Sequence, residues 1–393
     1  MSVTAAAGFR AAGVAAGLKA GAKDVALVVN DGPLHHGSAV FTTNKVAAAP
    51  VLWSRQVISD GRADAVILNS GGANACTGAP GFADTHTTAE ETAEKLTATG
   101  MDVSATDVLV CSTGLIGERL DMPALLSGVQ QAVGSLSAEQ EAAAAAAEAI
   151  RTTDTVSKTE THAGTGFTVG GMAKGAGMLA PGMATMLSVI TTDAVISQEG
   201  LDAALREAVR ISFNRADSDG CMSTNDTVIA LASGAHPEAD PSGVDLSEFQ
   251  SALNEVCSSL AAQLIADAEG AHHEIAIRTI NAVTEEQAEE AGRAVARSNL
   301  FKTAIFGRDP NWGRILSAVG TTAVEFDPTT IDVAVNGVWI CRAGGIGEDR
   351  DLVDLSGREV EVVIDLKAGE AEATILTNDL THDYVHENSA YST

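Results

Sequence analysis

The chain has 393 residues, 45% of them hydrophobic, with 52 acidic against 24 basic residues and a formal net charge of −28. This length and apolar content support two or three domains with sizeable cores. The acidic excess excludes nucleic acid and an anionic membrane surface as the main partner, because both are polyanions.

The first 21 residues are alanine-rich but interrupted by Gly8, Arg10 and Lys19, so they read as folded structure and not as a secretory signal. Residues 23–30 (KDVALVVN) read as a strand, followed by a turn at Asp31, Gly32 and Pro33 and a second short strand towards Phe41. FTTNK, residues 41–45, comes next. His35 and His36 are adjacent in the intervening loop, where neighbouring side chains point apart and no spaced carboxylate or cysteine set joins them; no metal site is read there. Residues 65–68 (AVIL) form a buried strand running into NSGGANACTG, residues 69–78, which lacks both the GxGxxG spacing and the GK[ST] ending of nucleotide loops. Residues 84–99 suit a helix that stops at Gly100.

The strand DVLVC, residues 107–111, ends at STGLIG, residues 112–117. This is either an ordinary strand-to-helix turn or a hydroxyl and a free amide, from Thr113 and Gly114, aimed at charge developing on an attacked carbonyl. Cys111 reads as a small core residue. SAEQ, residues 137–140, has the form of a capping box opening a helix to about Ile150, which delivers the chain to RTTDT, residues 151–155. Strand-like residues 167–169 follow.

MAKGAGMLAPGMATMLSVITTD, residues 172–193, is the stretch around which the chain is organised. Gly175, Gly177, Pro181 and Gly182 shape a loop, and residues 186–192 form a short apolar, β-branched run that reads as a buried strand. Thr185 sits at the junction. Spacing alone describes a β-forming threonine, but a hydroxyl in that place can also attack the carbonyl of Ala184, turn the peptide bond into an ester and let water cut the chain. The freed α-amine, with an ordinary pKa of about 7.7 to 8.0, then serves as base for its own hydroxyl.

Downstream, Leu201, Leu205 and Val209 recur at helical spacing. The polar HPEADPSGVDLS, residues 236–247, reads as a surface connection or subdomain boundary, and Phe249, Leu253, Val256, Leu260 and Leu264 mark a long helix. After DAEGAHHE, residues 267–274, come an alternating strand (274–280) and TEEQ, residues 284–287, a second capping box whose helix runs to about Ser298. KTAIFGRDPNWGRIL, residues 302–316, reads as a fixed turn joining the lobes; Arg308, Asp309, Asn311, Trp312 and Arg314 receive no chemistry. Residues 333–335 and 338–341 flank the hairpin signal Asn336-Gly337, and residues 360–366 and 372–376, around KAGE, look like a second antiparallel pair. Mixed strands and helices define an α/β (α+β) protein. The tail, DYVHENSAYST, has the look of a frayed terminus.

KGAGMLAPGMATML closely resembles the self-processing segment of the ornithine acetyltransferase family, the bifunctional glutamate N-acetyltransferase and amino-acid acetyltransferase of arginine biosynthesis. GFRAAGVAAG, FTTNK, STGLIG, TTDT, STNDT, KTAIFGRDPNWGRIL and the tail extend the resemblance over nearly the whole chain in consistent order. It implies a layered αββα sandwich, resembling the self-processing aminopeptidase fold, with a smaller C-terminal α/β domain. Cleavage between Ala184 and Thr185 would give an α chain, 1–184, and a β chain, 185–393, in which residues from 185 to about 240 complete the sandwich and residues from about 241 to 393 form the smaller domain. Such pairs assemble further, usually as a dimer of αβ pairs. Thr185 is implied as nucleophile, Thr113 and Gly114 as the oxyanion site, and Thr152, Lys174, Thr185, Glu269, Asn388 and Thr393 as substrate contacts.

The implied reaction moves an acetyl group from N-acetylornithine to glutamate, releasing ornithine and N-acetylglutamate, with no cofactor or metal; acetyl-CoA is open as a second donor. Five cysteines without a CxxC pair fit reduced thiols in a cytoplasm, and no run approaches the roughly 20 apolar residues of a membrane span. The chain departs from the family pattern at Gly72, at Cys221 and Met222, and at His272 and His273. Two other classes stand beside the transferase: an N-terminal-threonine amidohydrolase or peptidase, and a noncatalytic binding protein that kept the fold.

Overall fold

The computed structural model describes residues 2–180 and 186–390. The first half begins with β1 (Phe9–Val14), β2 (Val25–Asn30), β3 (His36–Phe41), α1 (Ala49–Val57), β4 (Ala65–Ser70), α2 (Gly78–Thr97) and β5 (Val108–Thr113). It continues through α3 (Met122–Gly134), α4 (Gln140–Ala149), β6 (Lys158–Gly164), β7 (Phe167–Lys174) and β8 (Leu187–Thr192). Then come α5 (Gln198–Ile211), β9 (Thr227–Ala232) and α6 (Leu246–Ala266). The last third holds β10 (Glu274–Ala282), α7 (Glu285–Ala296), α8 (Asn299–Phe306), α9 (Trp312–Val319), β11 (Asp332–Val335), β12 (Val338–Arg342), β13 (Gly345–Ile346), β14 (Glu359–Asp365), β15 (Ala371–Asn378) and α10 (His382–Ala390).

Two sheets form the sandwich, one in the order β1-β2-β4-β5 and one in the order β3-β9-β8-β7-β6. Period-two alternation assigns the faces. On β8 and β9, Leu187, Val189, Ile229 and Leu231 join the core built around the first sheet, whereas Ile190, Val228 and Ala230 join a second core with α5 and α6. Residues of α2, α3 and α4 cover the other face of the first sheet, so the layers run αββα as expected. The third sheet, β13-β12-β11-β14-β10-β15, has its own core with α7, α8 and α9.

Several elements differ from the sequence reading. The expected smaller domain began at about 241, but Phe249, Leu253, Val256 and Leu260 of α6 are buried against the second sheet, which puts the helix with the sandwich. The connection 236–247 is therefore a loop inside the sandwich. Residues of β14 and β15 do not pair with each other: β10 lies between them, parallel to β14 and antiparallel to β15, so the KAGE turn steps across a strand. SAEQ does not cap α4, because Ser137 is drawn into a bridge with Ala11 of β1 and the helix starts after Glu139 without a side-chain cap. The motif 302–316 is mostly helical, its turn joining α8 to α9 within the smaller domain and not the two lobes. Helix α2 begins six residues before the expected start, and the sequence reading assigned no element at α1, α3 or β6. The Thr284 cap does form, its hydroxyl accepting the Gln287 amide, and Asn336 and Gly337 take the left-handed φ values of 46° and 80° that the hairpin needs.

Candidate active site

At one end of the sandwich β5 and β7 finish while β8 and β9 begin. Thr113 is the last residue of β5, Lys174 the last of β7, and Lys174 pairs across the sheet with Leu187. The expected cleavage pair Ala184 and Thr185, and the terminal Thr393, lie outside the described residues.

Thr113, Gly114, Thr152, Lys174, Glu269 and Asn388, assigned from separate motifs, line a single cleft at this end. Lys174 is 1% exposed and its Nζ donates to Thr113 Oγ1 at 3.1 Å. Burial lowers the lysine from its ordinary pKa, with Asp154 the first group opposing that fall. Gly114 has φ 128°, and a Cβ there would stand 2.6 Å from the Gly72 amide nitrogen, so only glycine fits. The close approach arises because the amides of Gly71 and Gly72 both donate to the Thr113 carbonyl, which locks the two glycine loops together. At Gly72, where the chain departs from the family pattern, Leu120 packs close, its Cδ2 lying 2.7 Å from a Cβ built there.

Glu269 faces the cleft from the segment after α6. Its amide donates to the Ala176 carbonyl, and its Oε2 accepts from Asn388 Nδ2 at 2.9 Å. Residues His382–Ala390 form the helix α10, which brings Asn388 to the site. Gly177 has a steric reason to be glycine: a Cβ there would stand 2.5 Å from Glu269 Oε2. Thr152 is held by its amide, which donates to Asp154 Oδ2 at 3.0 Å.

The sequence reading missed Asn225 and Ser223, which also line the cleft. Asn225 Nδ2 donates to the carbonyls of Ala73 (2.6 Å) and Ser112 (2.8 Å), stitching the two sheets together at the site. The signal was present in STNDT. FTTNK supports the same loop: Thr42 Oγ1 donates to the Ser223 carbonyl and Asn44 Nδ2 to that of Met222. Cys221 and Met222 are not buried, and His272 and His273 face Asp383 and Asp379 instead of the cleft. Asp226 accepts the Met186 amide through Oδ1 (3.1 Å), and burial raises its carboxyl well above the usual range.

Cys111 is fully buried, and desolvation pushes its thiol up to about 12, which suits the core role read from the sequence. His35 pairs with Asp64 and His36 with the Ile196 carbonyl. Among the described residues no cluster of three or more His, Cys, Asp or Glu is arranged to hold a metal ion, and no helix is long and apolar enough to cross a membrane. The cleft thus offers a buried lysine, a carboxylate and a hydroxyl beside a glycine backbone, donors and acceptors suited to a small polar ligand.

The ArgJ family model matches residues 10–393, and the chain belongs to that family. Arginine biosynthesis bifunctional protein ArgJ of Thermobifida fusca is 59% identical over 394 residues, covering 100% of both chains. The protein of the same description from Streptomyces coelicolor is 59% identical over 396 residues, again covering 100% of both. Among solved structures, ornithine acetyltransferase from Mycobacterium tuberculosis complexed with ornithine is 59% identical over 46% of this chain and 94% of its own, with a TM-score of 0.45.

Proposed function

We infer that this chain is a self-processing glutamate N-acetyltransferase of arginine biosynthesis, moving an acetyl group from N-acetylornithine to glutamate through an acetyl ester on Thr185. The observation that carries this reading is the convergence of Thr113, Gly114, Lys174 and Glu269 on one cleft in a chain that full-length relatives, named for arginine biosynthesis, match from end to end.

In maturation the Thr185 hydroxyl adds to the Ala184 carbonyl, the C–N bond breaks with a proton passing to nitrogen, and water hydrolyses the ester. The α chain then ends at Ala184 and the β chain starts at Thr185. In turnover the Thr185 amine takes the proton of its own hydroxyl, and the oxygen attacks the acetyl carbonyl of N-acetylornithine. Thr113 and Gly114 face the developing oxyanion. Because a lysine ammonium has no lone pair, Thr113 Oγ1 accepts from Lys174 and keeps its own O–H free to donate elsewhere. Ornithine leaves with the proton, glutamate attacks the acetyl ester, and N-acetylglutamate departs.

Glu269 with Asn388, Thr152 and Thr393 would hold the amino acid. The reaction needs neither metal nor bound cofactor; acetyl-CoA enters, if at all, as a second donor. The proposed enzyme is a dimer of αβ pairs in the cytoplasm.

The test is intact mass of the purified protein followed by assay. Two chains, the second beginning Thr-Met-Leu-Ser, with acetyl transfer from N-acetylornithine strictly dependent on glutamate, support the reading. Acetate released at the same rate without glutamate makes the protein an amidohydrolase, and an uncut, inactive chain makes it a binding protein. Acetyl-CoA in place of N-acetylornithine reports the second donor.

A further inference from the structure

We propose that Asp154, which stands behind the cleft wall, is a positioning residue: its buried carboxylate serves as the counter-charge of Lys174 and ties three walls of the cleft together. The proposal deepens the acetyltransferase reading and rests on it.

Asp154 is 4% exposed. Its Oδ1 accepts the Gly175 amide at 2.6 Å and Lys158 Nζ at 2.6 Å, while Oδ2 accepts the Thr152 amide at 3.0 Å. Lys158, with no exposed surface, also donates to Asp267 Oδ2 at 2.6 Å. Asp267 lies two residues before Glu269 and accepts the Thr155 amide as well. One buried Asp-Lys-Asp chain therefore anchors the Thr152 turn, the backbone next to Lys174 and the segment that carries Glu269. Charge pairs this deep persist only when their remaining hydrogen-bonding capacity is met, and the backbone amides meet it here.

The same carboxylate acts on Lys174. Among the described residues no carboxylate is in ion-pair contact with Lys174, whose hydrogen-bond partner is the Thr113 hydroxyl. Asp154 and Asp226 favour its charged form, Lys158 and Lys19 oppose it, and Glu269 shares the cleft. Burial acts against ionisation of Asp154, yet Lys174 and Lys158 outweigh it and hold the carboxyl down to about 2, so it is anionic at every working pH. Without that charge Lys174 would face burial and two like charges with Asp226 as its remaining acid, whose own burial favours the neutral form. A neutral Lys174 amine accepts hydrogen bonds, so the Thr113 hydroxyl could turn its proton to Nζ and away from a developing oxyanion.

The test is the pH profile of kcat/KM for N-acetylornithine with saturating glutamate, on matured protein checked by intact mass. Asp154→Asn keeps hydrogen-bonding capacity and removes the charge; its high-pH limb should fall by about one unit or more relative to the parent. Lys158→Gln removes a competing cation, and its limb should move upward. An unmoved limb in Asp154→Asn overturns the proposal, since a purely structural role lowers the whole profile without shifting it. Should Asp154→Asn fail to fold, Lys158→Gln decides, and an unmoved or lowered limb there overturns it. Absence of acetyl transfer in the parent protein would instead remove the acetyltransferase reading.

Discussion

Lys174 Nζ and Thr113 Oγ1 meet at 3.1 Å where β7 and β5 end, both side chains almost wholly buried. They come from different sheets, so this single bond fixes a cation from one layer against a hydroxyl from the other. Replacing Thr113 by valine preserves shape and removes the hydroxyl. Turnover of the matured Thr113→Val protein should fall on the order of a hundredfold or more, whereas Thr113→Ser should stay within about tenfold of the parent. Steady-state kcat measures both, and a valine variant with near-parent kcat would remove Thr113 from the reaction.

Glu269 Oε2 occupies the space where a side chain at residue 177 would begin. Gly177→Ala puts a Cβ about 2.5 Å from Glu269 Oε2, a separation the carboxylate must move to relieve. KM should rise about tenfold or more with a smaller change in kcat, as lost uniform binding predicts, and Glu269→Gln should do the same by removing the charge. Unchanged KM in both variants would assign substrate binding elsewhere.

Thr185→Ala should leave one uncut, inactive chain, because alanine lacks the oxygen that serves as both attacking group and later nucleophile, while Thr185→Ser, which keeps a hydroxyl, should still be cut, more slowly. Mass spectrometry of freshly purified protein decides it. A cut and active alanine variant would falsify the nucleophile assignment.

Lys302 opens the KTAIFG motif and is buried where the smaller domain meets the sandwich, its Nζ donating to the Ser218 carbonyl. Desolvation lowers its pKa to about 8 from 10.5, against the pull of Asp219, Asp217 and Asp379. Between those two values the unfolded chain holds a proton that the folded one has released, so this residue's contribution makes stability rise with pH there. Urea unfolding at pH 7, 8, 9 and 10 should show that rise in the parent relative to Lys302→Met. Parallel curves for the two proteins would count against the buried ammonium.

The local grammar of this chain was legible wherever one segment decides its own shape. The Thr284 hydroxyl caps its helix, Asn336-Gly337 turns its hairpin, and the alternation on β8 separates two faces, because each depends on backbone dihedrals and side chains a few residues apart. The family resemblance of the motifs also named Thr113, Gly114, Thr152, Lys174, Glu269 and Asn388 in advance, and these line one cleft; spacing alone left the strand-end glycines and hydroxyls open as ordinary turns.

Tertiary structure decided what depends on distant partners. Whether residues 360–366 and 372–376 pair was settled by β10, which inserts between them. Helix α6 belongs to the sandwich because its apolar stripe meets the second sheet, a choice its periodicity could not express. The sequence by itself determined the local elements and, through its family resemblance, which residues to look for; only folding set Asp154 behind Lys174 and Gly177 against Glu269, because burial and the approach of charges are properties of neighbours far apart along the chain.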